Sequence, residues 1–201
     1  MNKRGSSGAT LIELMIGMVI LGILIALGLP SFTTWLQSSQ IRTSAEAIQN
    51  GLSLARAEAV NRNATVRFQL TSSMDSTCTL STSGANWVVS LDDPEGLCNS
   101  APFTGAADVA TAPRIIQTRP SSEGTPNAVV AASQNTIMFS GIGRVSPVPA
   151  GNITINVTNP TGGTCAAAAG NMRCLRVVVS PGGQVRMCDP KFTSTDPQGC
   201  P

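Results

Sequence analysis

One stretch near the N-terminus, Gly8-Ala-Thr-Leu-Ile-Glu13 and on through Gly22 to Pro30, limits what this chain can become. From Ala9 to Leu29 only Thr10 and Glu13 are polar. At about 1.5 Å of rise per residue the run would extend about 32 Å as a helix, close to the roughly 30 Å core of a bilayer. Lys3 and Arg4 precede it, so the positive-inside bias keeps the N-terminus cytoplasmic and sends everything after Pro30 across the membrane. A cleaved secretory signal fits less well, because its apolar core is about 7–15 residues and ends in a small-x-small site. Here the run continues into Leu29-Pro30-Ser31-Phe32, with no such site. Glu13 is the misplaced residue. A carboxylate inside an apolar segment is expensive and points to a contact with a partner.

The residues Gly8, a small residue, then Thr10-Leu11-Ile12-Glu13 resemble the class III signal of type IV pilins and type II secretion pseudopilins. In that family a prepilin peptidase cuts after the glycine and methylates the new N-terminus. The resemblance therefore implies a leader of residues 1–8, cleavage between Gly8 and Ala9, and methylation of Ala9. It also marks Glu13, Gly22 and Pro30 as assembly residues. Ala9 is a departure, since the family usually has Phe there. In a stack of such helices the new α-amino group of one chain meets the Glu13 carboxylate of its neighbour, and each neutralises a charge that hydrocarbon would penalise. Gly22 and Pro30 bracket a segment with a weak helical ladder, because proline removes a backbone donor and glycine adds backbone freedom. Local melting there would let the stem bend or extend. Gly17 and Gly28 read as ordinary packing glycines of a membrane helix.

Of the 201 residues, 63–201 remain for one β-rich globular domain after a transmembrane and assembly helix at 9–30 and an amphipathic helix at 31–62. Loss of Lys3 and Arg4 with the leader would leave 11 basic against 11 acidic side chains, which argues against generic nucleic-acid binding. The sequence has no histidine and no tyrosine, so the commonest general base and metal ligand is missing. No nucleophile–base pair stands out, and neither an enzyme, a cofactor nor a metal is expected. Asp92-Asp93-Pro94-Glu95-Gly96 lacks the spacing of a calcium loop and reads as a polar turn.

The six cysteines are an even set in a domain expected to be exported, which favours disulfides. Fifteen pairings exist. The sequential one, Cys78–Cys98, Cys165–Cys174 and Cys188–Cys200, closes three short loop-like segments. A closed loop of about 15 residues is worth about 3 kcal/mol in the chain-entropy account. Zinc is disfavoured, as no C-x2-C occurs.

Beyond Pro30 the spacing of Ile41, Ala45, Ile48, Leu52, Ala55 and Ala59 gives one apolar helical stripe. Arg42/Glu46 and Glu58/Arg62 stand at i, i+4 on other faces. Short β-rich runs follow at Thr65–Leu70, Trp87–Leu91, Arg114–Thr118, Ala128–Ala131, Thr136–Phe139, Ile153–Val157, Leu175–Val179 and Gln184–Cys188. The pattern predicts an α+β fold, which the resemblance makes pilin-like: a long N-terminal α-helix, half apolar and half amphipathic, packed on a C-terminal antiparallel β-sheet domain. Residues 92–113 and 119–127 read as long irregular loops. The stretch AEAIQNGLSLARAEAVNRNATV and the segment Thr136–Arg144 resemble the GspH/FimT subgroup, the FimU/FimT-like minor pilins.

Ser180-Pro-Gly-Gly183 between two strand-like runs signals a hairpin. With Pro181, Gly182 and Gly183 as the loop, Ser180 pairs with Gln184 and Val178 with Arg186. Arg176 and Arg186 then share the outward face, with Arg173 and Lys191 nearby, while a one-residue slip would turn Arg186 toward the apolar side. Some FimT-like members bind DNA through a Gly-Arg-x-Arg motif. Here the matching residues are Gly183-Gln184-Val185-Arg186. Gln184 can hydrogen-bond a phosphate but releases no counterion. Arg176, Gln184, Arg186 and Lys191 are the candidate DNA contacts on this resemblance.

The resemblance as a whole implies a minor pilin, processed by prepilin peptidase and held in the inner membrane with its C-terminal domain periplasmic. It would then join other pilins through the N-terminal helix in the initiation or tip complex of a type IV pilus, supporting pilus biogenesis, motility or adhesion. Two alternatives stand beside it, a FimT-like DNA-binding minor pilin for natural transformation and a GspH-like pseudopilin of type II secretion.

Overall fold

The computed structural model describes residues 10–103 and 113–201, with the side chains of 27–31 outside the description. The expected leader 1–8 and Ala9 therefore lie outside the described residues, as does 104–112 within the long loop expected at 92–113. The chain divides into two compact units, residues 1–36 and 37–201.

Helix α1 runs Leu11–Arg62, with a helical backbone at Pro30. The Glu13 amide donates to the Thr10 hydroxyl at 3.4 Å, and the Leu14 amide to the Thr10 carbonyl at 3.2 Å. Thr10 is thus an N-cap and Glu13 lies in the first turn, the T-x-x-E spacing of a capping box. In the first unit the large side chains from Leu11 to Ile25 are all exposed, by 51% or more. Among the described residues no helix is long and apolar enough to cross a membrane. Of the span expected at 9–30, residue 9 and the side chains of 27–30 are outside the description.

In the second unit α1 is a striped helix. Ile41, Ala45, Ile48, Leu52, Ala55 and Ala59 are each 0–1% exposed and form one side of the core. Arg42–Glu46 and Arg62–Glu58 pair at 2.7 and 2.6 Å on its solvent side. The helix stops at Asn63, which takes φ 47°, while the Ala64 amide reaches the Ala59 carbonyl and the Asn63 amide the Val60 carbonyl. That is a Schellman closure with asparagine in the left-handed position.

Eight antiparallel strands follow: β1 (Val66–Thr71), β2 (Asn86–Ser90), β3 (Ile115–Arg119), β4 (Val129–Ala132), β5 (Thr136–Phe139), β6 (Ile153–Thr158), β7 (Leu175–Val179) and β8 (Val185–Cys188). They make the expected antiparallel β-domain as two four-stranded sheets, β3-β2-β1-β5 and β4-β6-β7-β8. The chain changes sheet after β3, after β4 and after β5, and only three residues separate β4 from β5. Val66, Phe68, Leu70, Trp87, Val89, Ile137 and Phe139 line the inner face of the first sheet; Val130, Ile153, Ile155, Val157, Val177 and Val179 line that of the second. Together with the α1 stripe these faces form one core.

The first sheet is buried on its outer side too. Cys78, Cys98, Val88 and Ile115 form a small second cluster under the loop that follows β1. Disulfides join Cys78–Cys98, Cys165–Cys174 and Cys188–Cys200, the sequential pairs, and no described cysteine is free.

Candidate functional site

Two regions carry the candidate residues. The first is the apolar half of α1. Glu13 sits one turn into the helix, where the orphan amides at a helix N-terminus favour a negative charge. In the sequence Glu13 stands out as an acid inside an apolar run, and the T-x-x-E spacing with Thr10 is the signal that marks it as a capping residue too. A Cβ added at Gly17 or Gly22 would meet nothing within 4 Å, so neither glycine is required by packing within the described chain. Phe32 and Trp35 follow the apolar run as an exposed, stacked pair, for which their three-residue spacing is the signal in the sequence.

The second region is the outer face of the second sheet. Its hairpin has the register expected: Val178 pairs with Arg186, Val179 with Val185, and the Ser180 amide donates to the Gln184 carbonyl at 3.0 Å. Pro181, Gly182 and Gly183 form the loop. Gly183 has φ 83°, and a Cβ there would strike the Gly143 carbonyl oxygen, which also accepts from Arg56 Nε at 3.1 Å. The glycine is thus required both by its turn conformation and by a close backbone approach.

Paired residues in a ladder point the same way, so Val178 and Arg186 share a face with Arg176, two residues back along β7. Both guanidinium groups are tethered: Arg176 Nε donates to Asn156 Oδ1 and Arg186 Nη2 to the Gly199 carbonyl, each at 2.6 Å. Arg173 Nε meets the buried Asp189 carboxylate at 2.9 Å, and its Nη2 reaches Gln198 Oε1 at 3.2 Å. Lys191 holds its ammonium 6.0 Å from the Phe192 ring centre. Gln184 is exposed, and its backbone amide donates to Ser180 Oγ. The fold thus brings Arg176 and Arg186 together on one face. Arg173 and Arg186 both hold the C-terminal loop closed by Cys188–Cys200.

The acidic segment after β2 is satisfied internally. Arg114 grips Asp92 through Nε and Nη2, both at 2.7 Å, and through its backbone amide at 3.0 Å. The Arg114 side-chain hydrogen bonds are the main cause that lowers the Asp92 carboxyl to about 2, against the opposing effect of partial burial. Asp93 accepts from Gln69 and from the Glu95 amide, and Glu95 accepts from the Leu80 amide. Among the described residues no group of three or more metal-ligating side chains is arranged to hold an ion.

Residues 44–183 match the family described as type II transport protein GspH, and residues 3–29 match the prokaryotic N-terminal methylation motif. No curated protein matches the chain. Two crystal forms of the type IV minor pilin FimU from Pseudomonas aeruginosa are similar in structure. Each is 13% identical; one covers 83% of this chain and 98% of FimU with a TM-score of 0.48, the other 79% and 98% with 0.45.

Proposed function

Because the chain belongs to the GspH family of pilins and pseudopilins and carries the prokaryotic N-terminal methylation motif, we propose that it is a minor pilin of a type IV pilus. Family membership makes it a structural, membrane-anchored and pilus-associated protein that assembles with other pilins after processing by prepilin peptidase. Peptidase cuts between Gly8 and Ala9 and methylates Ala9; the domain after Pro30 is periplasmic; the subunit then leaves the inner membrane for the initiation or tip complex of the fibre.

One observation carries the reading. The methylation motif leads into a helix whose first half exposes its large apolar side chains and whose second half is the packed stripe of a GspH domain. Lipid first covers the exposed half, and the stems of neighbouring pilins replace it on assembly. Glu13 then pairs with the α-amino group of a neighbour, while Gly22 and Pro30 supply a segment that can loosen as the stem is packed. Three disulfides and a cysteine-closed C-terminal loop suit a domain that folds in the oxidising periplasm and is then carried into a fibre. The test is mass spectrometry of membrane-extracted protein together with sheared filaments. A methylated N-terminus at Ala9 is expected, and Glu13→Val should leave the chain in membranes but absent from filaments. A start elsewhere overturns the processing, and normal incorporation of the variant overturns the pairing.

The family description itself favours a second reading, a pseudopilin of type II secretion. Deletion of the gene with parallel assays of piliation and protein secretion separates the two. A DNA-contacting role rests on the shared face of Arg176 and Arg186, with Gln184 and Lys191 as further candidate contacts, and it would add to either role.

A further inference from the structure

The first unit ends in an aromatic pair that no role above uses. Phe32 and Trp35 stack with ring centres 6.0 Å apart and planes inclined by 27°. They are three residues apart and so lie on one side of α1. They remain 56% and 63% exposed, with Leu36 beside them at 41%. Rings with an apolar body and, for indole, a polar N–H gather where hydrocarbon gives way to water.

We infer that Phe32 and Trp35 form a lipid-interface site, which docks at the boundary of acyl chains and headgroups on the side of the C-terminal domain and sets the depth of the helix. The inference rests on the membrane-anchored reading above. Length along the helix carries it. Trp35 follows Glu13 by 22 residues, about 33 Å of helix, against a hydrocarbon core of about 30 Å. An indole held at one boundary therefore holds Glu13 at the other. There the carboxylate meets headgroups and water at the capped first turn, and not hydrocarbon.

No charged residue occurs between Glu13 and Arg42, so the aromatic pair is the feature of that stretch suited to fix its depth. Sliding the helix by one turn, about 5.4 Å, would submerge either the carboxylate or the indole. The resting subunit thus keeps Glu13 accessible at the membrane surface, and the carboxylate enters an apolar setting only when a neighbour supplies its counter-charge.

The test uses the full-length chain reconstituted in phosphatidylethanolamine–phosphatidylglycerol vesicles that carry bromine at a shallow or a deep acyl position. Trp87, the other tryptophan, is 3% exposed in the domain core; Trp35→Phe, at an exposed position, isolates its background. The expected result is co-flotation with vesicles, a blue shift of Trp35 emission, quenching that is strongest with the shallow label, and loss of that quenching in Trp35→Phe. Flotation with emission insensitive to both labels, or quenched best by the deep one, overturns the inference and leaves the membrane reading standing. The labels are read at excess lipid, where any neighbouring helix that covers the rings at high protein density is diluted away. Failure to float overturns the membrane reading and the inference with it.

Discussion

The two halves of α1 are both rich in apolar side chains and meet opposite environments. In the first, exposure of the large residues ranges from 51% at Ile25 to 80% at Leu11; in the second, the six stripe residues are at 0–1%. The difference lies in pattern more than in amount. Apolar residues around the whole circumference leave the first half with no single face to bury, so a surrounding solvent of lipid or other helices is needed. Apolar residues at three- and four-residue steps give the second half one face, which two sheets of the same chain can cover. Substitutions in the second half should therefore change domain stability, and those in the first should change membrane docking and assembly.

The largest expected effect is Leu52→Ala. It empties part of the core shared by the helix stripe and the sheets and should lower unfolding stability by about 2–5 kcal/mol. Leu21→Ala, in the exposed half, should leave the urea midpoint of the domain unchanged. A comparable shift for both would break the contrast. The glycines sharpen it next. A Cβ at Gly51 would lie 2.8 Å from Phe68 Cε2 and 3.0 Å from the Trp87 ring, and one at Gly22 would meet nothing within 4 Å. Gly51→Ala should cost about 1–3 kcal/mol by overpacking. Gly22→Ala should cost the domain nothing and favour helix by about 0.5–1 kcal/mol. Thermal unfolding of the two variants measures this, and equal melting points would contradict it.

The smallest effect is electrostatic and confined to the second unit. The folded state holds Asp92 at about 2, below its ordinary 3.8. Its pairing with Arg114 therefore stabilises fully above about pH 4 and is lost as pH falls through about 2. With side chains 30% and 38% exposed, the loss should be about 1 kcal/mol after solvent screening. Acid unfolding should be less steep in Asp92→Asn across that window. An unchanged acid limb would show that the pair is energetically silent.

Much of the fold was legible because local chemistry decided it. The stripe from Ile41 to Ala59 and eight β-rich runs placed the elements, and the expected strand bounds differ from the observed ones by a residue or so at most ends. The β7–β8 register was legible for a related reason: a one-residue slip would turn Arg186 toward the core side occupied by Val177. The division into two sheets was not legible. Ala132 and Thr136 are four residues apart, and nothing in their types says that one belongs beside Ile155 and the other beside Gln69. The contact of Gly183 with Gly143, the tether from Arg186 to Gly199 and the grip of Arg114 on Asp92 likewise join segments distant in sequence.

The sequence by itself determined the elements and their order, the apolar half that needs an outside partner, the amphipathic half that does not, and the match over residues 44–183 that makes the chain a member of the GspH family. These depend on residue type and on spacing within a few turns or strands. Tertiary structure alone decided that the β-domain is two sheets closed over one helix stripe. It also decided that a second small core forms under the Cys78–Cys98 loop, and that Arg173 and Arg186 brace the C-terminal loop in addition to facing solvent. Those outcomes depend on which distant surfaces exclude water from each other and which buried polar atoms find partners, and no local pattern encodes either.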